Sequence, residues 1–202
     1  MRKLKKYVIS KIEEFKVSKD LKESFSYELT RISVRILIPV SYVQIPLSIT
    51  IIIILLLIIK PIDLYASQAI FMHSLLTTVS IALLILLKKS LSYKVLSLIV
   101  KAVFMFILMW TMVFSLLSFS VGGQLTVYLI GLTFVSVSSN LNPLSIIFAF
   151  VSTWLIFMGF IPFYTQNEYI IVSNIINLFA LNSIAWLTSL ILFRMRLEDF
   201  ML

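Results

Sequence analysis

Residues 36–60 read ILIPVSYVQIPLSITIIIILLLIIK, an apolar stretch that ends in the aliphatic run 51–59 and Lys60. A helix needs roughly 20 apolar residues to cross a hydrocarbon core of about 30 Å. Five further stretches are long enough as well, at 66–87, 97–119, 124–140, 144–164 and 169–193. The sequence therefore predicts an all-α fold, a polytopic membrane bundle of six transmembrane helices with an N-terminal amphipathic cytoplasmic segment.

Composition supports this class, because 60% of the 202 residues are hydrophobic and only 13% are charged. The charged residues are concentrated between the apolar stretches rather than within them. We therefore expect three regions: a basic amphipathic cytoplasmic segment at 1–35, a six-helix transmembrane domain at 36–193, and the start of a cytoplasmic signalling helix at 194–202. The first region reads as amphipathic because apolar residues recur at helical spacing on both sides of a break near Ser18. It could form two short helices on the inner membrane face or pack on a partner domain.

The basic residues predict the orientation. Sixteen of the 17 Lys and Arg residues lie before the first helix, between helices two and three (with Lys101 just inside helix three), or after helix six. Cytoplasmic loops of membrane proteins carry such an excess of positive charge. We therefore predict a multi-pass protein of the cell membrane with both termini in the cytoplasm.

The formal net charge of +8 is accounted for by this topology and by attraction to anionic lipid. Nucleic acid is therefore not expected as a partner, whereas membrane lipid is. The chain contains no cysteine and one histidine, and it has no paired carboxylates within a span and none of the common catalytic motifs. We expect no catalytic residue, no metal site and no cofactor, and no enzyme activity in this segment.

Polar groups inside hydrocarbon are costly and mark candidate sites. His73, in helix two, could sense pH or be one ligand of a metal or haem. It could also be a neutral imidazole bonded to a neighbouring helix or close enough to the membrane interface to stay hydrated. Gln44 lies in helix one on the same face as Ser41 and Ser48, and this face should point toward other helices.

Helix six contributes Asn174, Asn177 and Asn182, of which the first two share one face. Asparagine side chains often hydrogen-bond between membrane helices, so these residues could fix the packing of the bundle. Alternatively, they could line a polar cavity between helices one, two and six that admits a small ligand. The two interpretations are compatible, since a ligand could replace packing contacts.

The end of the chain predicts a helix that leaves the membrane. Arg194 and Arg196 follow the last span, no Gly or Pro interrupts the helix, and Phe193, Leu197 and Phe200 continue an apolar stripe. Such a stripe is suited to a parallel coiled coil with a second copy, so we expect a homodimer through the helix-six extension. We also expect these residues to be the membrane part of a longer protein.

The layout resembles the MASE-type six-helix membrane sensor regions at the N-terminus of bacterial GGDEF diguanylate cyclases, and similar regions of adenylate cyclases and histidine kinases. The matching parts are residues 28–35 before helix one, 140–143 before helix five, and 174–200. The resemblance implies a sensory or receptor domain that transmits a stimulus through helix six to a cytoplasmic output domain, such as a cyclase.

Under this hypothesis Gln44, His73, Asn174, Asn177 and Asn182 serve sensing or polar packing, and Arg194, Arg196 and Phe200 serve transmission. Two other classes remain open. One is the substrate-binding subunit of a small-molecule uptake transporter, and the other is a membrane scaffold that recruits a soluble partner through residues 1–35.

Overall fold

The computed structural model describes residues 19–59, 63–118 and 125–201. Within these ranges the chain forms six helices and no strand: α1 Lys19–Ile58, α2 Leu64–Leu87, α3 Tyr93–Ser118, α4 Thr126–Ser138, α5 Pro143–Tyr164 and α6 Glu168–Met201. The first predicted amphipathic helix, at residues 1–18, lies outside the described residues.

Five of the six helices are long and apolar enough to cross a membrane. The exception is α4, whose 13 residues extend over only about 20 Å at 1.5 Å per residue. The sequence predicted a span at 124–140, and the described helix is shorter at both ends. The structure therefore shows an all-helical protein with five candidate spans and a shorter apolar helix.

The first helix differs from its prediction. A helix starting near Ile36 was expected, but α1 is a single helix of 40 residues that begins at Lys19 and continues through Pro39 and Pro46. The prediction was wrong here because the charged residues before Ile36 were taken to separate two elements. Charged residues are good helix formers, so nothing at Arg31 or Arg35 ends the helix.

Side chains that precede two of the helices cap their N-terminal ends. Asp63 accepts a hydrogen bond from the backbone N–H of Ala66 at 2.6 Å and so caps α2. Asn142 caps α5 in the same way, accepting from the N–H of Ser145 at 2.7 Å, and Pro143 occupies the first helical turn. These caps satisfy backbone donors that would otherwise be unpaired.

Small polar side chains are buried within the apolar core of the bundle, and large apolar side chains cover much of its outer surface. Buried positions include Ser48, Ser115 and Thr153, each fully buried, whereas Leu57 and Phe148 are 68% and 72% exposed. Large apolar side chains can face lipid at no cost, and small polar side chains allow close packing between membrane helices. The outer surface therefore matches a hydrocarbon environment.

Helix packing follows chain order closely. The α1–α2 pair packs on α3, α3 packs on α4 and α5, and α6 packs on α4 and α5. The buried core runs through α3, α4 and α5 and includes Phe104, Tyr128 and Phe157. Helix six was expected beside helices one and two, but its main neighbours are α4 and α5.

The ends of α1 and α6 meet beyond this core. Phe25 and Leu29 of α1 pack against Phe193, Leu197 and Phe200 of α6, with the rings of Phe25 and Phe200 5.2 Å apart. We call these five residues the stalk contact. It places the described N-terminal end of α1 and the C-terminal end of α6 at the same end of the bundle.

A close approach of α4 to α3 depends on Gly131 of α4. A methyl group added there would overlap the Thr111 side chain of α3, with the Cγ2 atom only 2.7 Å away. We expect Gly131→Ala to separate α3 from α4 and to lower the free energy of unfolding by about 1–3 kcal/mol, as overpacking does. Thermal unfolding in detergent measures this loss. The control is Gly159→Ala on α5, where a methyl group meets nothing within 4 Å; equal stability of the two variants would contradict the prediction.

Candidate functional site: a cavity beside Gln44 and His73

A cavity of about 200 Å³ lies between α1, α2, α3 and α4. Most of its lining is aliphatic or aromatic. Polar groups reach it from each of three helices, as Ser41 and Gln44 of α1, Ser80 of α2, and Thr111 of α3. Small-molecule sites usually combine an apolar wall with a few polar groups that orient the ligand.

A chain of hydrogen bonds joins Gln44 to His73 next to this cavity. The Gln44 amide donates to the Ser48 hydroxyl, and the Ser48 hydroxyl lies 3.2 Å from Nδ1 of His73. Ser48 is fully buried and His73 is only 7% exposed. These contacts tie α1 to α2 through polar groups that the apolar interior would otherwise leave unpaired.

Aromatic rings hold the other side of the histidine. The His73 ring makes edge contacts with Trp110 and Phe114, at centroid distances of 5.6 and 5.4 Å, and these two rings stack on each other. The indole N–H of Trp110 donates to the carbonyl of Met72 at 2.8 Å. Trp110 also lines the cavity, so it contacts both the cavity and the histidine.

Among the described residues, no group of three His, Asp or Glu side chains is arranged to hold a metal ion. His73 instead has one hydroxyl partner and two aromatic neighbours. This arrangement matches the interpretation in which the imidazole bonds to a neighbouring helix.

The asparagines of helix six do not join this cavity. Asn174 donates to the carbonyl of Ile170 in its own helix at 2.8 Å, and Asn177 is exposed on the outer face of α6. The prediction of a polar cavity between helices one, two and six was therefore wrong, because α4 and α5 rather than α1 and α2 are the main neighbours of α6.

Asn182 belongs to a separate polar cluster. Its amide donates to the carbonyl of Leu178 at 2.7 Å, and its Oδ1 lies 3.5 Å from the Tyr128 hydroxyl. Tyr128 also bonds to Thr153 at 2.9 Å. Because this cluster joins α4, α5 and α6 and is buried, its geometry is that of a packing contact between helices.

The three residues predicted for transmission lie in different environments. Arg194 is exposed, and Phe200 belongs to the stalk contact. Arg196 donates from Nη2 to the backbone carbonyl of Val137, near the end of α4, at 3.0 Å. The apolar stripe that was expected to contact a second copy is thus covered by α1 of the same chain. The homodimer stays a prediction, and it would have to form through residues other than this stripe.

Sequence reasoning missed the role of Trp110, Ser80 and Thr111 as cavity lining. Tryptophan within a span is usually a packing residue, and hydroxyl side chains in membrane helices usually bond to their own backbone, as Thr111 does to the Ile107 carbonyl at 3.0 Å. Only the tertiary contacts of α3 with α1 and α2 bring these positions to one space.

Comparison of the chain with protein-family models, with curated proteins and with solved structures found no match. Interpretation of the site therefore depends on its geometry.

The Ser48 hydroxyl is predicted to hold α1 against α2. Ser48→Ala removes the partner of both Gln44 and His73, and hydrogen bonds between membrane helices contribute about 0.6 to 2 kcal/mol. We expect a loss of about 1 kcal/mol in the free energy of unfolding measured in bicelles.

The matched control is Ser74→Ala on α2. The Ser74 hydroxyl is exposed and donates only to the carbonyl of Ile70 in its own helix. A loss as large for Ser74→Ala as for Ser48→Ala would show that the bond between helices contributes nothing particular.

Proposed function

We propose that this chain is a membrane-embedded sensory domain in which the state of the cavity beside Gln44 is transmitted to the stalk contact. One observation carries the proposal: α1 is one continuous helix that contributes to both places. Ser41 and Gln44 line the cavity, and Phe25 and Leu29 of the same helix form half of the stalk contact.

This continuity offers a physical route from binding to output. A ligand shifts an equilibrium only if it binds one arrangement better than the other. A molecule that fills the cavity contacts α1 and would favour one position of that helix against α2 and α3. Any shift of α1 along or around its axis displaces Phe25 and Leu29 against α6.

The lining indicates the class of ligand. A space of about 200 Å³ with apolar walls, one amide and three hydroxyl groups suits a small, mainly apolar molecule with one or two hydrogen-bonding groups. Among the described residues, no Asp, Glu, Lys or Arg lines the cavity, so it offers nothing to balance a charged ligand. Charged ligands are therefore disfavoured.

Helix six would carry the signal onward. It remains helical to Met201, beyond the last apolar span predicted from the sequence, and Leu197 is buried in the stalk contact. Movement of α1 would thus change the position of the segment that leads toward any output domain. In this proposal α1 moves when the cavity is filled, and α6 transmits that movement toward the cytoplasm. From the sequence, both roles had been assigned to helix six.

A cavity of this kind would also suit the substrate-binding subunit of an uptake transporter. The two functions differ in what the C-terminal segment does. Removal of residues 194–202 would leave ligand binding and uptake intact in a transporter subunit, but would abolish output from a sensory domain.

We further propose that the chain crosses the membrane six times with both termini in the cytoplasm. The chain has no native cysteine, so single engineered cysteines can be labelled selectively. We expect Ser90→Cys, in the α2–α3 connection, to react only with a membrane-permeant thiol reagent in intact cells. Gln166→Cys, in the α5–α6 connection, should react with an impermeant reagent, and reaction of both with the impermeant reagent would contradict this topology.

Filling the cavity should mimic or block a ligand. Ser80→Leu adds volume at a buried position on the cavity wall, whereas Thr78→Leu adds similar volume on the exposed face of the same helix. In the full chain fused at Leu202 to a cyclase reporter, we expect Ser80→Leu to change output by at least about fivefold, the lower end of usual coupling factors. Thr78→Leu should leave output unchanged.

The stalk contact provides the second arm of this experiment. Leu197→Ala removes a side chain that is only 5% exposed, and Met195→Ala removes a neighbour that is 54% exposed. Added to Ser80→Leu, Leu197→Ala should abolish the change in output, and Met195→Ala should preserve it. If Ser80→Leu acts equally with and without the Leu197 side chain, the signal does not pass through the stalk contact.

A further inference from the structure

A second cleft, of about 370 Å³, lies at the end of the bundle that carries the stalk contact. Its apolar wall is formed by residues of that contact. Its polar lining comes from three other places in the chain: Ser26 and Thr30 of α1, Ser97 and Lys101 of α3, and Asn140 and Asn142 of the α4–α5 turn.

Lys101 is the charged group of this cleft. It lies in the third turn of an apolar helix, and among the described residues no Asp or Glu lines the cleft. The ion pair that the structure shows within its described ranges, Arg31 with Glu28 at 3.4 Å, does not involve it. A cation beside hydrocarbon is costly when unpaired, so this position favours an anionic partner.

An apolar groove of about 420 Å³ adjoins the cleft on the other side of Lys101. The two spaces share Lys101, Leu141 and Asn142. The groove is otherwise lined mainly by apolar side chains, including Phe104 and the exposed Phe148. The lysine therefore stands at the border between a polar space and an apolar space that faces the lipid side of the bundle.

Asn140 adds an unmet hydrogen-bond acceptor. The residue is only 5% exposed, its Nδ2 donates to the carbonyl of Ser138 at 3.0 Å, and its Oδ1 has no hydrogen-bond partner. Its φ of 40° is in the left-handed region, which asparagine tolerates better than most residues. A buried acceptor without a partner is costly, so a bound group that brings a hydroxyl or ammonium donor would stabilise this site.

We propose that the cleft and the groove together bind one anionic glycerophospholipid with a hydroxyl-bearing headgroup. The phosphate lies beside Lys101, the headgroup enters the polar cleft and donates toward Asn140, and one acyl chain follows the groove past Phe104 and Phe148. Basic pockets between membrane helices are suited to such headgroups. This site requires that the chain be in a membrane, and it does not depend on the sensory role.

The test measures lipid binding by the full chain in phosphatidylcholine nanodiscs, using added phosphatidylglycerol and native mass spectrometry. Phosphatidylcholine carries the phosphate but no headgroup donor and no net charge. We expect the wild-type chain to retain phosphatidylglycerol, and Lys101→Gln to reduce retention about fivefold, the usual contribution of one lysine at a membrane surface. Lys101→Arg should retain binding.

The matched control is Lys94→Gln, an exposed lysine on the same helix that lines neither space. It should retain phosphatidylglycerol as the wild type does. Equal losses for Lys94→Gln and Lys101→Gln would overturn the proposal, because they would show that phosphatidylglycerol is attracted to any exposed lysine. Asn140→Gly keeps the left-handed backbone, and it should reduce the preference for phosphatidylglycerol over phosphatidylcholine.

Two competitors distinguish the parts of the site. Inorganic phosphate should fail to displace the lipid, and a phosphatidylglycerol with six-carbon chains should bind more weakly than one with long chains. Displacement by inorganic phosphate would identify a simple anion site, and equal binding of short and long chains would exclude the groove. Either result would overturn the proposal.

Discussion

The carbonyl groups at the C-terminal end of α4 hold three separate parts of the chain together. Ser189 of α6 donates to the carbonyl of Ser136, Arg196 of α6 to that of Val137, and Ser33 of α1 to that of Ser139, each at 3.0 Å. A helix end leaves its last carbonyls without partners, and hydrocarbon supplies no water to replace them. The C-terminal end of α4, the shortest described helix, therefore holds α1 and α6, the two longest ones.

This constraint also positions both candidate sites. The α4–α5 turn that follows these carbonyls contributes Asn140 and Asn142 to the lipid cleft, and Gly131 in the same short helix closes the cavity beside Gln44. One proposed ligand would thus contact the middle of α4 and the other the turn that follows it. Residues of α1 line both spaces, so a ligand in either space would contact this helix.

The sequence predicted the helical class and the positions of five long apolar helices, because hydropathy is a local property. It did not predict that α1 continues from Lys19 through Arg31 and Arg35 into the apolar span, since the charged residues before Ile36 were taken as a boundary. It placed Gln44 on a helix face directed toward other helices, and it gave a bond to a neighbouring helix as one interpretation of His73. It also grouped helices one and two with the asparagines of helix six. That grouping was wrong because neighbour relations between helices depend on tertiary packing, which the spacing within a helix does not encode.

The unbroken course of α1 has a mechanical consequence. Gln44 and Phe25 are separated by roughly 28 Å along the axis at the usual helical rise, so the helix is a lever arm. A pivot of five degrees at the cavity end would move the Phe25 ring by about 2.5 Å, which is close to half a helical turn of its partner. Pro39 lies between the two points and lacks the backbone N–H that would complete the helical hydrogen bonds there. In the proposed mechanism this residue would set how much of such a motion reaches Phe25.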